Sequence, residues 1–411
     1  MSQKQFLMRE TIQYAAVAIV LAGLSMPLWA APAAKEATDA DVAGALAAPE
    51  KTNGADAALD PVARFGNDFK LVGIAVTPDG HLFASAPASA DARSSASVVT
   101  VDPETGATSP FPNAAWNHYD AQAAGRQQWI SVQALWVDRA NRLWALDKSL
   151  PDAPDNQPPK LVALDPATGR ITHRYTFGNV LEPGDSLNDV RVDDKHNVAY
   201  ISNAKNGGGI LVVDLASGRS RMVLRRDRSS VADPDQHLKF GDRIARTQDG
   251  HELSLDTDGL ALSPDRDWLY YRPLSDRHYY RIPTAALIDR SLTPAQRAAK
   301  VEPLGDHALS GGLAMSDAGV LYAGDLEHHS VVALTPTRDD KGRPQLESQV
   351  LVHDPERLAW ADGFAIANGY LYIADSHLNE THFANGYPRR GDFTIFRVPL
   401  LNGPGGAPDP D

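Results

Sequence analysis

Four oxygen-bearing side chains recur in this chain in one setting. Gln133, Asn188, Asp258 and Asp362 each sit at the start of a short apolar run, in VQALWV, LNDVRV, TDGLAL and ADGFAI, at intervals of 55, 70 and 104 residues, the last spanning two repeats of roughly 50. Carboxylate and amide oxygens gathered from separate segments can hold a hard cation such as calcium or another divalent ion. They can equally face the polar or positively charged part of a small molecule. The metal reading concentrates on Asn188, Asp258 and Asp362. An architectural reading competes with both, because Asp and Asn at such positions also cap turns. Asp189 and Asp256 stand close by, and a strand slipped by one residue exchanges the side chains that face a given side.

Aromatic residues flank the same positions. Trp129, Trp136, Tyr271, Trp360 and Phe364 can wall a pocket for an aromatic or cationic molecule through stacking and cation–π attraction, or can pack between neighbouring elements. Histidines offer a weaker signal. His328 and His329 follow Glu327, and His377, Glu380 and His382 share the segment SHLNETHF. Neutral imidazoles there can bind a transition metal or move a proton, but the helical HExxH spacing is absent. The run Asn206-Gly207-Gly208-Gly209 lacks the Lys-Ser/Thr of a phosphate loop and reads as a hairpin turn.

The elements that must position these residues are legible as a six-fold recurrence. LVGIAVTPDGHLFAS, VQALWVDRANRLWALD, LNDVRVDDKHNVAYIS, TDGLALSPDRDWLYY, SGGLAMSDAGVLYAG and ADGFAIANGYLYIAD align, which adds Val72 and Gly311 to the same column. Each unit is two strands joined by a turn rich in Asp, Asn and Gly. A third strand follows each pair, at 98–101, 161–164, 210–215, 279–282, 331–334 and 394–398, and a fourth is readable in five units. The period fits four-stranded blades and an all-β, six-bladed β-propeller. The sixth unit runs into Leu401-Asn402-Gly403-Pro404, so its outer strand is expected from residues 62–65, closing the ring and removing an exposed edge. A short helix is expected at 291–300, where Pro294 falls in the first turn, and long insertions at 113–128, 225–252 and 377–392.

A ring also accommodates the length. At 411 residues the chain exceeds the roughly 250–300 that one core sustains, whereas a repeat unit packs only on its neighbours. Near the start, Lys4 and Arg9 precede an uncharged stretch with an apolar core at 14–24, then Pro27 and small residues. This reads as a signal peptide over 1–31, with an uncleaved membrane anchor over 11–34 as the alternative, followed by a flexible Ala-rich linker over 32–60, the propeller over 61–401 and a disordered tail over 402–411. The expectation is a secreted or periplasmic protein, off the membrane once the leader is removed. With no cysteine, neither disulfides nor thiolate chemistry contribute. A net charge of -13 argues against nucleic acid as partner and leaves cationic or neutral small molecules.

Several phrases together resemble the bacterial branch of the major royal jelly protein and yellow family. They are Leu187-Asn188-Asp189-Val190-Arg191-Val192-Asp193 with Ala199-Tyr200-Ile201-Ser202, then Asp258-Gly259-Leu260-Ala261-Leu262-Ser263-Pro264 with Leu269-Tyr270-Tyr271-Arg272-Pro273-Leu274-Ser275. Gly324-Asp325-Leu326-Glu327-His328 and Trp360-Ala361-Asp362-Gly363-Phe364 complete the set. The resemblance spans roughly 60–400 and implies a secreted six-bladed propeller. Bacterial members are often labelled dopachrome-tautomerase-related, and some insect members bind biogenic amines in the central channel. This chain departs from the pattern in having no cysteine, and in carrying Asn203-Ala204-Lys205 where bacterial relatives commonly have Asp-Ser. Six-bladed lactonases are similar in using a Glu, Asn, Asn and Asp set for a metal, but here Val72 stands where the Glu would.

Two functions of different class follow from these residues. One is an exported module that binds a small cationic or aromatic molecule at the channel, with Gln133, Asn188, Asp258, Asp362, Trp136, Tyr271, Trp360 and Phe364 around it. The other is an enzyme at the same place, either a tautomerase with a channel acid or His as base, or a metal-dependent, lactonase-like hydrolase. A rigid platform for protein partners is a third, plainer expectation.

Overall fold

The computed structural model describes residues 59–401 apart from 90–92, 152 and 389–390. The expected leader, the linker up to residue 58 and the tail lie outside the described residues. Among those described, six four-stranded antiparallel sheets follow one another as blades. Blade one is Gly73–Val76, Leu82–Ser85, Val98–Val101 and Thr108–Pro110. Blade two is Val132–Val137, Leu143–Asp147, Lys160–Leu164 and Ile171–Thr176, and blade three is Leu187–Asp193, Val198–Asn203, Ile210–Asp214 and Ser220–Val223. Blade four is Thr257–Leu262, Trp268–Pro273, His278–Pro283 and Glu302–Asp306, and blade five is Leu313–Met315, Leu321–Asp325, Ser330–Arg338 and Pro344–His353. Blade six joins Ala361–Ala367, Tyr370–Asp375 and Phe393–Pro399 to Asp60–Phe65.

That last pairing is the expected closure. Asp60–Phe65 runs antiparallel to Phe393–Pro399, with Phe65 opposite Phe393 and Asp60 opposite Arg397. Its apolar side chains Ala63 and Phe65 enter one core with Ile74, Ala84 and Val99 of blade one and Ala374 and Ile395 of blade six. Closure therefore joins the two chain-distant blades by burial as well as by hydrogen bonds. The other blade interfaces are built alike: Trp144, Leu146 and Leu161 of blade two share a core with Val190, Ile201 and Leu211 of blade three. The expected helix at 291–300 is present over Pro294–Ala298, with Thr293 and Gln296 forming a capping box.

Two of the long insertions meet above the ring. The stretch 225–252 contains a small hairpin, Lys239–Phe240 with Arg243–Ile244, and the loop 377–392 carries the helix Leu378–Thr381. The amide of Ala384 donates to the Arg246 carbonyl (3.0 Å), and the Asn385 side chain exchanges bonds with Arg246 and Ile244. Phe240 packs on Phe383 and Tyr387.

A repeated hydrogen bond ties each second strand to the segment preceding the first. The residue after the second strand donates its N–H two positions before the oxygen-bearing column: Lys148 to Ser131, Ala204 to Ser186, Leu274 to Asp256, Leu326 to Leu309 and Ser376 to Trp360. In three blades the last residue of the second strand adds side-chain bonds to the same segment. Asp147 accepts from the amides of Ile130 and Ser131 (2.8 and 2.9 Å), Asn203 from Ser186 (2.8 Å), and Asp375 from Ala359 and Trp360. Two of these are buried carboxylates with buried cations: Asp147 pairs with Lys160 at 2.6 Å and Asp375 with His377 at 3.1 Å. Burial opposes charge on His377, but Asp375 and Glu380 on either side outweigh it and raise the imidazole to about 9.

Removing such an anchor has a size that separates it from a surface pair. Asp375→Ala leaves two buried amides unanswered and takes from His377 one of its two carboxylate partners, and is expected to lower unfolding free energy by about 3 kcal/mol in urea titrations. Asp325→Ala, at the matching place in blade five, loses the exposed His328 and is expected to cost less than about 1 kcal/mol. Equal losses would remove the anchoring role from Asp375.

Candidate functional site

The ladder between first and second strands is interrupted in four blades. Register shifts fall between Val132 and Ala134, Leu187 and Val190, Thr257 and Leu260, and Ala361 and Gly363. Gln133, Asn188, Asp258 and Asp362 all lie at these bulges. A bulge inserts a residue without a partner and re-aims its side chain. In blade one, by contrast, Gly73 to Val76 pair in regular register with Ser85 to Leu82, and in blade five the strand begins only at Leu313. The blades that lack an oxygen-bearing residue also lack the bulge.

Crowding at the axis explains the glycine in blade five. A Cβ on Gly311 would stand 2.0 Å from Asp362 Oδ1, and one on Gly312 would stand 1.7 Å from the Asp362 carbonyl. Gly311 thus leaves the space that the Asp362 carboxylate occupies. All six positions of the column line a single cavity of about 40 Å³, together with Asp189, Arg191 and Phe364. That volume holds one or a few waters and is too small for a whole organic ligand.

The cavity is densely ionisable. Asn188 Nδ2 donates to Asp258 Oδ1. Burial, with the negative charges of Asp362 and Asp189, holds the Asp258 carboxyl well above its ordinary range, against the opposing pull of Arg272 and Lys148. Burial and Asp189 likewise push Asp362 up to about 7. Lys148 is drawn down to about 8 by burial and by Lys205, while Asp258 and Asp362 work to keep it charged. The Asp189 carboxylate meets Arg191 at 2.6 Å and accepts the Leu260 amide at 2.9 Å. Burial still leaves it raised. Arg191 reaches past blade four to the Leu313 carbonyl of blade five, with its guanidinium 4.5 Å from the Trp136 ring centre. Gln133 Oε1 is buried in the same place without a hydrogen-bond partner. Acids that hold protons near neutrality beside a desolvated amine can bind polar groups and transfer a proton.

Of the residues singled out from sequence, Gln133, Asn188, Asp258, Asp362 and Phe364 come together at this cavity. Trp360 is buried and packs 5.6 Å from Phe383 beneath the joined insertions. Trp136 lies under Arg191 at the interface of blades two and three. Tyr271 is elsewhere: it is fully buried between blades three and four, bonded to Ser229 at 2.7 Å and stacked near Tyr280. Its second strand turns that side chain toward the neighbouring blade, so it does not wall the cavity. Asp189 shares the cavity with Asn188, while Asp256 instead accepts the amides of Gly207 and Ala232. His328 is held by Asp325, and His329 donates to the Leu358 carbonyl.

Lys148 and Arg191 were not singled out from sequence. Each had a signal, a charge directly after the buried strand LWALD and a charge inside the apolar LNDVRV. They bear on the metal reading. No group of three His, Cys, Asp or Glu that could hold a metal occurs among the described residues. Calcium takes six to eight oxygens. Three carboxylates and two amides line the cavity, but Asp189 is paired with Arg191 and the charges of Arg272 and Lys148 already act on Asp258, so the side-chain oxygens left over do not fit that requirement.

Solved structures share the architecture. A luciferin-regenerating enzyme is 11% identical over 85% of this chain and 98% of its own, with a TM-score of 0.52. A putative oxidoreductase (glucose dehydrogenase) from Thermus thermophilus is 14% identical over 83% and 99%, with a TM-score of 0.50. At such identities the likeness shows the fold alone. No curated protein matches the chain at a significant level. The major royal jelly protein family matches residues 130–402, a span that takes in blades two to five, most of blade six and every oxygen-bearing channel position, and the chain belongs to that family.

Proposed function

We propose that this chain is an exported propeller whose channel mouth binds a small molecule and moves a proton on it, as a tautomerase does. The observation that carries the reading is the convergence of Asp258 and Asp362, each at a bulge, on one cavity with Asn188, with the charge of Lys148 acting on both acids from outside its lining. Two carboxyls that share a buried space do not both ionise readily, so one is available to donate while the other accepts. Lys148 supplies a third group able to give or take a proton near neutral pH. Gln133 Oε1 offers an acceptor for a ligand N–H or O–H. Phe364 adds an apolar surface at the same cavity. The hydrolase reading has less behind it, because Val72 lacks the acid and the donor set does not suit a hard cation. Export rests on the leader-like segment, and N-terminal sequencing of the mature protein tests it by a start after residue 31.

Amines, catechols, indoles and their carboxylated counterparts form the test panel, with binding followed by calorimetry and isomerisation by ultraviolet absorbance. Asp258→Asn and Asp362→Asn are expected to abolish both signals. Wild-type protein inert toward the whole panel would count against the proposal. Added calcium is expected to give no saturable rise in melting temperature. A stoichiometric divalent ion that disappears in the Asp258→Ala, Asp362→Ala variant would restore the metal reading.

The site is also expected to be a liability for stability. Asp362 titrates higher folded than unfolded, so its contribution is fully present below about pH 4 and is lost as pH rises through about 7. Lys148 is lowered, so its contribution is present above its ordinary value and is lost as pH falls through about 8. Asp362→Asn should therefore stabilise the protein at pH 8 by about 1–3 kcal/mol and leave it little changed at pH 4. Equal destabilisation at both pH values would contradict the raised carboxyl.

A further inference from the structure

A second cavity shares no residue with the channel site. Its volume of about 190 Å³ exceeds the roughly 150 Å³ that encloses a benzene ring, whereas the channel cavity holds about 40 Å³. One ring-sized molecule fits. Ring closure builds part of its wall: Arg64 of the closing strand stands opposite Thr394 of blade six, whose hydroxyl donates to the Asp392 carbonyl at 3.0 Å. The segment that leads into blade six supplies Glu356, Arg357 and Ala359, and the loop after its second strand supplies His377, Asn379 and Tyr387. Contacts hold these pieces together. The Tyr387 amide donates to the Asn379 carbonyl at 2.8 Å, and Arg357 is tethered by Nε to Asp354 (2.6 Å) and by Nη1 to the Leu59 carbonyl (2.9 Å). Blade five adds His329, which donates through Nδ1 to the Leu358 carbonyl at 2.8 Å, with its ring 6.4 Å from that of Tyr387.

One residue of the wall carries an unanswered polar atom. Asn379 is 1% exposed, and its carboxamide nitrogen donates to the Ala359 carbonyl at 2.9 Å, which fixes the oxygen at the other end of the group. That Oδ1 has no hydrogen-bond partner. A buried acceptor left so costs free energy until a donor meets it. His329 offers a second acceptor, because the proton that Nδ1 donates leaves Nε2 bare in the neutral ring. Donors come from the guanidinium groups of Arg64 and Arg357. Charge around the wall is mixed: Arg64, Arg357 and His377 are positive, Glu356, Glu380 and Asp392 negative, and behind them Asp354 and Asp375 pair with Arg357 and His377. An ion would meet a like charge as readily as an opposite one.

We infer that this cavity is a second binding site and that its ligand is an uncharged cyclic polyol the size of a monosaccharide. Hydroxyl groups donate and accept at once, so they can meet Asn379 Oδ1 and His329 Nε2 and also take bonds from Arg64 and Arg357. A lone carboxylate or ammonium answers only half of that set. The C–H face of a sugar ring suits the apolar part of the wall, made by Pro355, Leu358, Tyr387 and Phe396. Because Arg64 lies on the closing strand and His329 on blade five, an occupant also ties those two parts of the ring together. The site stands apart from the channel and does not depend on what the channel binds.

Calorimetry of the full chain with glucose, galactose, mannose and myo-inositol, set beside the charged glucuronate and glucosamine, is the direct experiment. The expected result is saturable one-to-one binding of at least one neutral member, in the low millimolar range or tighter for about 12 non-hydrogen atoms, with both charged probes weaker. Arg64→Gln and Asp392→Asn, both at exposed positions, are expected to weaken that binding about threefold to tenfold each. Asn379→Ala should remove it, and the two exposed variants carry the test if that variant does not fold. Binding should persist in Asp258→Asn, whose side chain belongs to the other cavity. A charged probe that binds as tightly as the best neutral one, or more tightly, would overturn the uncharged class. Binding that is lost in Asp258→Asn, or that ignores Arg64→Gln, Asp392→Asn and Asn379→Ala alike, would overturn the site. Silence from every neutral member would do the same.

Discussion

The crowding of six strands around one axis is the constraint on which the rest of this molecule depends. Each inner strand packs against the inner strands of both neighbouring blades, so space at the axis is allotted residue by residue. Where a blade contributes an oxygen-bearing side chain, the strand bulges to deliver it. Where a neighbour must yield, it is glycine, and the Gly311 and Asp362 contact shows that one depends on the other. The bulges are held from behind. Asp147, Asn203 and Asp375 at the ends of the second strands fix the backbone that leads into Gln133, Asn188 and Asp362. Buried side-chain bonds of this kind stabilise a geometry the channel contents would otherwise disturb, since close, desolvated carboxyls repel.

That division of labour explains what was legible in the sequence. The six-fold recurrence, the four-stranded period and the closure by residues near 62–65 come from apolar alternation and turn chemistry, which are local signals, and the structure carries all three. The column of Gln133, Asn188, Asp258 and Asp362 was legible too, because aligned repeats expose the positions at which they differ. The bulges were not, since two residues opposing one is a property of a strand pair. Arg191 was hidden for a related reason: its partners are Asp189, two residues away, and a carbonyl in blade five. Tyr271 was misread because an aromatic at the end of a strand looks the same whether it faces a channel or the next blade.

Net charge says little about the channel itself. Acidic residues spread over the chain set it, whereas at the axis the charge of Lys148 acts on Asp258 and Asp362 and its own proton is held less firmly than an ordinary lysine's. Family membership gives the scaffold; the column of oxygens is read from this chain's own residues.

Proton-holding acids at a bulged axis are the core of this account, and a carbon-13 NMR titration of the aspartate carboxyls addresses them directly. Spectra of the wild type set against Asp258→Asn and Asp362→Asn assign the two resonances. The account predicts that the carboxyl of Asp362 titrates near 7 and that of Asp258 well above the ordinary aspartate value of 3.8. Two carboxyls that both titrate near 3.8 would contradict it, because the channel would then hold a pair of ordinary, hydrated acids.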